Sequence, residues 1–136
     1  MPTKKTILIV EDNEQMRRSL FERLKEDGHR VLQAANFAEG LAALRANTID
    51  VLVLDLLLGG EEGKSGPDLV KEARADETTH FDAVAVVVLS DWDDPKAVLG
   101  DVLAPDQYEY FHKMRTSLDQ IAEHIKQKLH GDTASR

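Results

Sequence analysis

Five side chains that could take part in metal or phosphate chemistry each follow an apolar segment of this 136-residue chain. They are Glu11 and Asp12 near the start, Asp55 and Ser90 at the ends of two Val/Leu-rich segments, and Lys113 after an aromatic one. Carboxylate oxygens suit Mg²⁺, and a carboxylate beside a metal can act as a nucleophile, as in aspartyl-phosphate chemistry. A lysine would offset charge on a transferred phosphoryl group, and a hydroxyl could hydrogen-bond to its oxygens. The set therefore indicates Mg²⁺-dependent phosphoryl chemistry if the fold brings the five together.

Each of these residues also has a purely structural explanation. Glu11 and Asp12 would favour the positive end of a following helix, and Asp55 would suit the first position of an Asx turn. Ser90 could be a turn hydroxyl and Lys113 a solvated surface lysine. Three carboxylates at one place, however, repel each other by roughly 1–4 kcal/mol per pair at about 4 Å. A fold tolerates that arrangement poorly without a cation, so the joint pattern favours a metal site.

The elements that must position these residues follow from the apolar patterns. The continuous run that ends in Asp55 is typical of a strand buried on both faces of a parallel sheet. Strands are predicted at Thr6–Val10, His29–Ala34, Val51–Asp55, Val84–Leu89 and Tyr108–Phe111. Helices are predicted at Glu14–Asp27 with Asn13 as its N-cap and Gly28 as its stop, after Asn36, from Pro67, from Pro95 with Asp94 as its N-cap, and at Ser117–Leu129. This alternation predicts an α/β protein with one parallel sheet covered on both faces. The carboxyl ends of parallel strands share one edge, where such sheets place their chemistry.

Composition narrows the class of protein. Without cysteine, the chain has no disulfide or thiolate site. A net charge of −8 argues against direct nucleic-acid binding. The apolar residues Ile7–Val10 are fewer than the ~7–15 of a signal peptide, and no run approaches the ~18 of a membrane span. We therefore expect a cytoplasmic domain over residues 1–130, with no membrane partner and a flexible tail at 131–136. The histidines lack metal-ligand spacing and are expected to be solvated: His29, His80, His112, His124 and His130.

Four motifs resemble those of a known family. Ile7–Asn13 looks like the first strand and acidic pair of the receiver domains of two-component response regulators, of the single-domain, chemotaxis-regulator-like kind. Val51–Asp55 looks like the phosphoacceptor strand, Val84–Ser90 like the switch-hydroxyl strand, and Tyr108–Lys113 like the strand with the aromatic and the lysine. The resemblance covers Thr6 to Leu129. It implies a flavodoxin-like (βα)5 three-layer sandwich with strand order 2-1-3-4-5.

The resemblance also implies roles for residues. Asp55 would accept a phosphoryl group from a sensor histidine kinase or a histidine phosphotransfer protein in a phosphorelay. Glu11, Asp12 and Asp55 would hold Mg²⁺ together with the backbone carbonyl of Leu57, and Lys113 would be the phosphate partner. The domain would not be an enzyme beyond self-catalysed phosphorylation and dephosphorylation of its aspartate.

Signalling would pass through a switch pair, Ser90 and Tyr110, although Tyr110 could equally be an amphipathic aromatic at a strand edge. The implied output surface is formed by helix four, strand five and helix five, and it is also a candidate homodimer face. Val98, Val102 and Ile125, together with Tyr110, are candidates for coupling to a downstream protein target.

Some positions depart from the family pattern. The glycine–proline pair arrives late, at Gly66–Pro67, and the Asp76–Asp82 connection is long. Asp91 stands where the family prefers a small residue, and an acid there would repel an incoming phosphoryl group. Met114 follows Lys113 where the family has a cis proline. A cis bond before a residue other than proline costs about 2.5–4 kcal/mol, which favours a trans bond here.

Three alternatives remain open from the sequence. Gly59–Ser65 resembles a phosphate-binding loop, but Leu58 occupies the position where that loop needs a glycine. A magnesium-dependent phosphatase with an aspartate nucleophile would need an acid at Leu57. The third alternative is a receiver-like interaction module that does not depend on phosphorylation, as Asp91 and Met114 suggest.

Overall fold

Five parallel strands form one sheet in the computed structural model, which describes residues 5–58, 65–91 and 93–134. The strands are β1 (Thr6–Val10), β2 (Arg30–Ala34), β3 (Val51–Asp55), β4 (Ala85–Ser90) and β5 (Tyr108–His112). The helices are α1 (Glu14–Glu26), α2 (Phe37–Ala46), α3 (Gly66–Ala75), α4 (Pro95–Leu99) and α5 (Leu118–Ala134). The strand order is β2-β1-β3-β4-β5, so the predicted flavodoxin-like order is confirmed.

The sheet separates two apolar cores because successive side chains of a strand point to opposite faces. Leu8 and Leu52 lie on one face and pack with side chains of α2, α3 and α4. Ile7 and Val53 lie on the other face and pack with α1 and α5. Every residue of β1 and β3 is buried, as the unbroken apolar runs predicted. These two strands therefore form the least exposed part of the sheet.

Three of the predicted helix starts, those of α1, α2 and α4, are confirmed by their N-caps. Asn13 Oδ1 accepts a hydrogen bond from the Met16 N–H at 2.8 Å, and Asn36 Oδ1 accepts one from Glu39 at 2.9 Å. Asp94 caps α4 through the N–H of Lys96 at 3.0 Å. Each cap satisfies a backbone donor that has no partner within its helix.

The structure differs from the predicted elements in one connection, in the end of the last helix, and by one residue in the limits of β2, β4 and β5. The Asp76–Asp82 segment, predicted only as a long connection, contains residues of two 3₁₀ helices, Glu77–Thr79 and Phe81–Ala83. They form because Asp76 Oδ1 accepts the Thr78 N–H at 3.0 Å, while Thr79 and Phe81 bury their side chains. Helix α5 continues past the predicted end at Leu129 to Ala134. Within the described residues, no helix has the length and apolar character to cross a bilayer.

Candidate functional site

The strand register brings the two buried acids to the same edge of the sheet. Val10 pairs with Leu54 across β1 and β3, so Glu11 and Asp55 each follow one member of a paired couple. On the other side, Asp55 pairs with Leu89 of β4, which places Ser90 one residue further along. The predicted convergence of strand ends is therefore present.

Glu11 is only 1% exposed, and backbone and side-chain hydrogen bonds hold it in place. The Glu11 N–H donates to the carbonyl of Ala34 at 3.0 Å, and Arg17 Nη1 donates to the Glu11 carbonyl at 2.9 Å. Its Oε2 accepts the N–H of Asn13 at 3.1 Å. The neighbouring Asp12 is exposed. One acid of the pair is thus a fixed buried group and the other faces solvent.

Asp55 is 3% exposed and has a partner on each carboxylate oxygen. Oδ1 accepts the N–H of Leu57 at 3.1 Å, and Oδ2 lies 3.0 Å from Lys113 Nζ. The start of α3 presses against this strand end, because a Cβ on Gly66 would lie 2.6 Å from the Asp55 carbonyl oxygen. Only glycine permits so close an approach of two backbones.

Lys113 reaches both buried acids. Its Nζ lies 2.8 Å from Glu11 Oε1 as well as 3.0 Å from Asp55 Oδ2, and its side chain is 18% exposed. No peptide bond among the described residues is cis, so the bond before Met114 is trans, as predicted. The lysine therefore points into the site without a cis turn after it.

Burial and mutual repulsion shape the ionisation of this cluster. Burial first, and then the neighbouring Glu11, raise the pKa of Asp55 to about 7, while Lys113 acts in the opposite direction. Burial lowers the pKa of Lys113, but its contacts with Glu11 and Asp55 outweigh burial, so that the pKa is raised overall. Lys113 is therefore a charged cation at neutral pH, in contact with both buried acids.

The acids fit a divalent cation. Glu11, Asp12 and Asp55 each place one carboxylate oxygen within 4.8 Å of the other two. Glu11 Oε1 is buried and accepts no well-aligned hydrogen bond within the described residues, although the Lys113 ammonium lies 2.8 Å away as an ion pair. An all-oxygen donor set with one solvent-facing member suits Mg²⁺, which retains waters. The three predicted acidic ligands are thus gathered in one place.

The predicted switch residues stand on the adjoining strands. Ser90 is buried at the end of β4, opposite His112, and Tyr110 pairs with Val88. Tyr110 is half-buried against the core on the α3–α4 face. Burial raises the pKa of its hydroxyl, as do the charges of nearby acids, Asp93 foremost.

A family model for the response regulator receiver domain matches residues 7–126. The chain belongs to this family. Receiver domains are the phosphoacceptor modules of two-component signalling, so the predicted function class is confirmed. Family membership also agrees with the prediction that this is a signalling domain rather than a classical enzyme.

Individual relatives cover parts of the receiver. The transcriptional regulatory protein AfsQ1 of Streptomyces coelicolor is 40% identical over 58 residues, which is 43% of this chain and 26% of AfsQ1. The two-component response regulator PhoP of Pseudomonas aeruginosa is 33% identical over 88 residues, 65% of this chain and 37% of PhoP. The chain therefore matches only a minor part of the length of these curated relatives.

Solved structures agree over nearly the whole receiver. A CheY-like receiver domain protein from Methanospirillum hungatei superposes with a TM-score of 0.78 at 22% identity, covering 98% of this chain and all of that one. A response regulator from Thermotoga maritima gives a TM-score of 0.71 at 25% identity, covering 93% and 98% of the two chains. The fold assignment therefore stands independently of the local motifs.

Sequence reasoning missed a cluster of charged and polar side chains formed by His112, Asp93 and Arg115. His112, expected to be solvated, has a side chain only 13% exposed, with Nε2 3.5 Å from Asp93 Oδ1. Arg115 Nη1 contacts the same oxygen at 3.1 Å. The expectation of solvation was also wrong for His29, which is buried. The signal available in the sequence was the position of His112 at the end of the last strand, directly before the lysine.

The phosphate-loop alternative cannot be placed. Its residues 59–64 lie outside the described part of the chain, and only Ser65 is described. Ser65 is the N-cap of α3, and its N–H and its hydroxyl both donate to Asp68 Oδ2, at 2.8 and 3.0 Å. Its local contacts are those of a helix start.

Proposed function

We propose that this receiver domain accepts a phosphoryl group on Asp55 from a phosphohistidine of a sensor kinase or phosphotransfer protein. The observation that carries the proposal is the position of Asp55, buried between Lys113 Nζ at 3.0 Å and the oxygens of Glu11 and Asp12. A buried aspartate with an adjacent fixed cation and two further acids suits nucleophilic attack on phosphorus with a metal present. The proposed place of action is the cytoplasm, where the domain would meet its kinase.

In the transfer, a carboxylate oxygen of Asp55 forms a bond to phosphorus while the bond from phosphorus to the donor's imidazole nitrogen breaks. The bonding electron pair returns to the imidazole. Lys113 stays close to Asp55 Oδ2 and offsets the negative charge on the phosphoryl oxygens. Mg²⁺, held by Glu11, Asp12, Asp55 and the carbonyl of Leu57, would supply further neutralisation of that charge. The same residues would support the self-catalysed loss of the phosphoryl group.

The signal is proposed to leave the site through Ser90 and Tyr110. Ser90 ends the strand beside Asp55, and Tyr110 packs with Val98 and Val102 against the same core. These residues connect the site to α4 and β5, the proposed interaction surface for a target protein or a second copy. Ile125 belongs to the opposite core and is fully buried, so its proposed coupling role would act through packing of α5.

The test is phosphoryl incorporation followed by intact mass. The protein is incubated with Mg²⁺ and a small phosphodonor such as acetyl phosphate, and one phosphoryl adduct is expected. Asp55→Asn removes the nucleophile and abolishes the adduct, as does chelation of the metal. Asp106→Asn is the matched control, since Asp106 is exposed at the opposite end of β5 and should leave incorporation unchanged.

The second candidate is a receiver-like interaction module that works without phosphorylation. The exposed carboxylate of Asp91, directly after Ser90, favours it, because this charge opposes an incoming phosphoryl group. Absence of an adduct, together with absence of any response to a beryllofluoride mimic, would establish this alternative over the phosphoacceptor.

A further inference from the structure

The turn that follows β5 must aim a long, flexible side chain into a buried site. Lys113 begins the turn, and Met114 follows it. Met114 is 81% exposed, so burial of its side chain does little to stabilise the turn. The turn is instead held by hydrogen bonds to the backbone. The Lys113 N–H donates to the carbonyl of Ser90 at 2.9 Å, and the Arg115 N–H donates to the carbonyl of His112 at 3.1 Å.

One further bond comes from a side chain. The N–H of Met114 donates to Nδ1 of His112 at 3.1 Å. Because Nδ1 accepts this bond, the proton of a neutral ring resides on Nε2. Nε2 faces Asp93 Oδ1 at 3.5 Å, and Arg115 Nη1 contacts the same oxygen at 3.1 Å. The imidazole is therefore placed between the turn and the loop before α4.

These bonds determine where Lys113 points. A peptide group is planar, so a bond to its N–H orients the whole group. The group before the Lys113 Cα is oriented by Ser90, and the group after it by the His112 ring. With both flanking planes fixed, the direction of the Cα–Cβ bond of Lys113 is fixed as well.

We infer that His112 is a positioning residue for phosphoryl transfer, whose Nδ1 orients the turn that directs Lys113 Nζ to Glu11 and Asp55. The inference rests on the proposed function for its catalytic consequence, but its geometric part is independent of it. In this chain the ring supplies a constraint on the turn while the bond before Met114 remains trans. His112 acts through Lys113 rather than through a contact of its own with Glu11 or Asp55.

Three variants at His112 separate the ring's contacts. Asn at this position offers an oxygen close to the position of Nδ1. That oxygen can accept a hydrogen bond from the Met114 N–H, as in an Asx turn. Gln extends towards Asp93 but lacks an acceptor at the Nδ1 position. We expect His112→Ala and His112→Gln to slow adduct formation at Asp55 by about 10- to 100-fold, since misplacing a reacting group by 1 Å can cost that much. His112→Asn should stay within about threefold of the unchanged protein.

The control is His124→Ala, a change of a second histidine beside β5. His124 stacks edge-on with Phe111, with ring centroids 5.3 Å apart, and has no place in the turn. The His124→Ala variant should form the adduct at Asp55 at the same rate as the unchanged protein. Thermal unfolding is measured for every variant to show that it is folded. If His112→Ala does not fold, the rates of His112→Asn and His112→Gln still test the inference.

A direct readout of Lys113 keeps the inference separate from the proposed function. The ¹⁵Nζ resonance of Lys113 in metal-free protein, assigned with Lys113→Arg, should move towards that of a solvated lysine in His112→Ala and His112→Gln, and be retained in His112→Asn. If the unchanged protein forms no adduct, the proposed function fails while this resonance still decides the geometry. An unchanged resonance in His112→Gln, or equal displacement in Asn and Gln, overturns the positioning role.

Discussion

The carboxyl edge of the sheet has two dissimilar halves. The acid half, at the ends of β1 and β3, carries Glu11, Asp12 and Asp55 on strands that are buried throughout. The turn half, at the ends of β4 and β5, consists of residues 90, 91, 93 and 94, helix α4, and residues 112–115. There α4 is only five residues long, β5 is partly exposed, and Asp91, Asp93 and Met114 are exposed.

The difference separates two tasks. Groups that must hold a metal and a nucleophile at fixed distances belong on elements whose displacement would disrupt the core. Groups that must respond to a new phosphoryl group belong where few buried contacts resist rearrangement. Lys113 joins the halves, because it is carried by the turn but contacts the acids at 2.8 and 3.0 Å.

The largest expected effect tests the rigidity of the two halves. Leu52→Ala in β3 removes a fully buried side chain and should lower the free energy of unfolding by about 2–5 kcal/mol. Val98→Ala in α4 removes part of a half-buried side chain and should cost about 1 kcal/mol or less, since alanine also favours the helix. Urea unfolding followed by circular dichroism measures both. Equal losses would remove the distinction between the halves.

The next prediction concerns how far the buried acids lower the free energy of unfolding. The pKa of Asp55 is raised to about 7 without metal, so between about pH 4, the unfolded value, and pH 7 the folded protein binds more protons than the unfolded chain. The stability of the metal-free protein should therefore fall as the pH rises through this window, by an amount on the order of 1–3 kcal/mol. Asp55→Asn should flatten this dependence, and Mg²⁺ should restore stability at the upper end.

Urea unfolding in a chelator between about pH 5 and 8 measures this dependence. Asp76 does not interfere, since hydrogen bonds from Thr78 and Arg45 hold its pKa at about 2. Its contribution changes only as the pH falls below about 4. A pH dependence that persists unchanged in Asp55→Asn would show that the cost lies outside the acid half.

The smallest effect concerns the turn half. Asp91→Ala removes an exposed carboxylate next to Ser90 and should raise the rate of phosphoryl uptake from an anionic donor by about two- to fivefold. The increase should shrink as salt is added, because exposed charges are screened. Asp106→Ala, which removes an equal charge at the other end of the sheet, provides the control. A rate that does not respond to Asp91→Ala would mean that the turn half does not limit entry to the site.

Local patterns predicted much of the acid half. The strands Thr6–Val10 and Val51–Asp55 have the predicted limits because continuous Val/Leu/Ile runs leave no other placement. The N-cap role of Asn13 followed from residue type at a helix start. Strand order came from family resemblance, since periodicity carries no information on which strands are neighbours.

The turn half was less predictable for a physical reason. The contacts of His112 with the Met114 N–H and with Asp93 depend on a turn conformation and on a loop from another strand, neither of which leaves a periodic signal. The long connection after α3 became two 3₁₀ helices through side-chain capping by Asp76, which apolar patterns do not reveal.

The sequence by itself determined the layers of this protein and the chemical types at the strand ends, because burial on both faces requires apolar runs and parallel strands end at a common edge. Tertiary structure alone decided how the charges pair. It placed Lys113 between Glu11 and Asp55, raised the pKa of Asp55 to about 7, and turned His112 from an expected surface residue into a support of that lysine. Distances of about 3 Å between residues far apart in the chain are set by packing and register, and a linear pattern does not encode them.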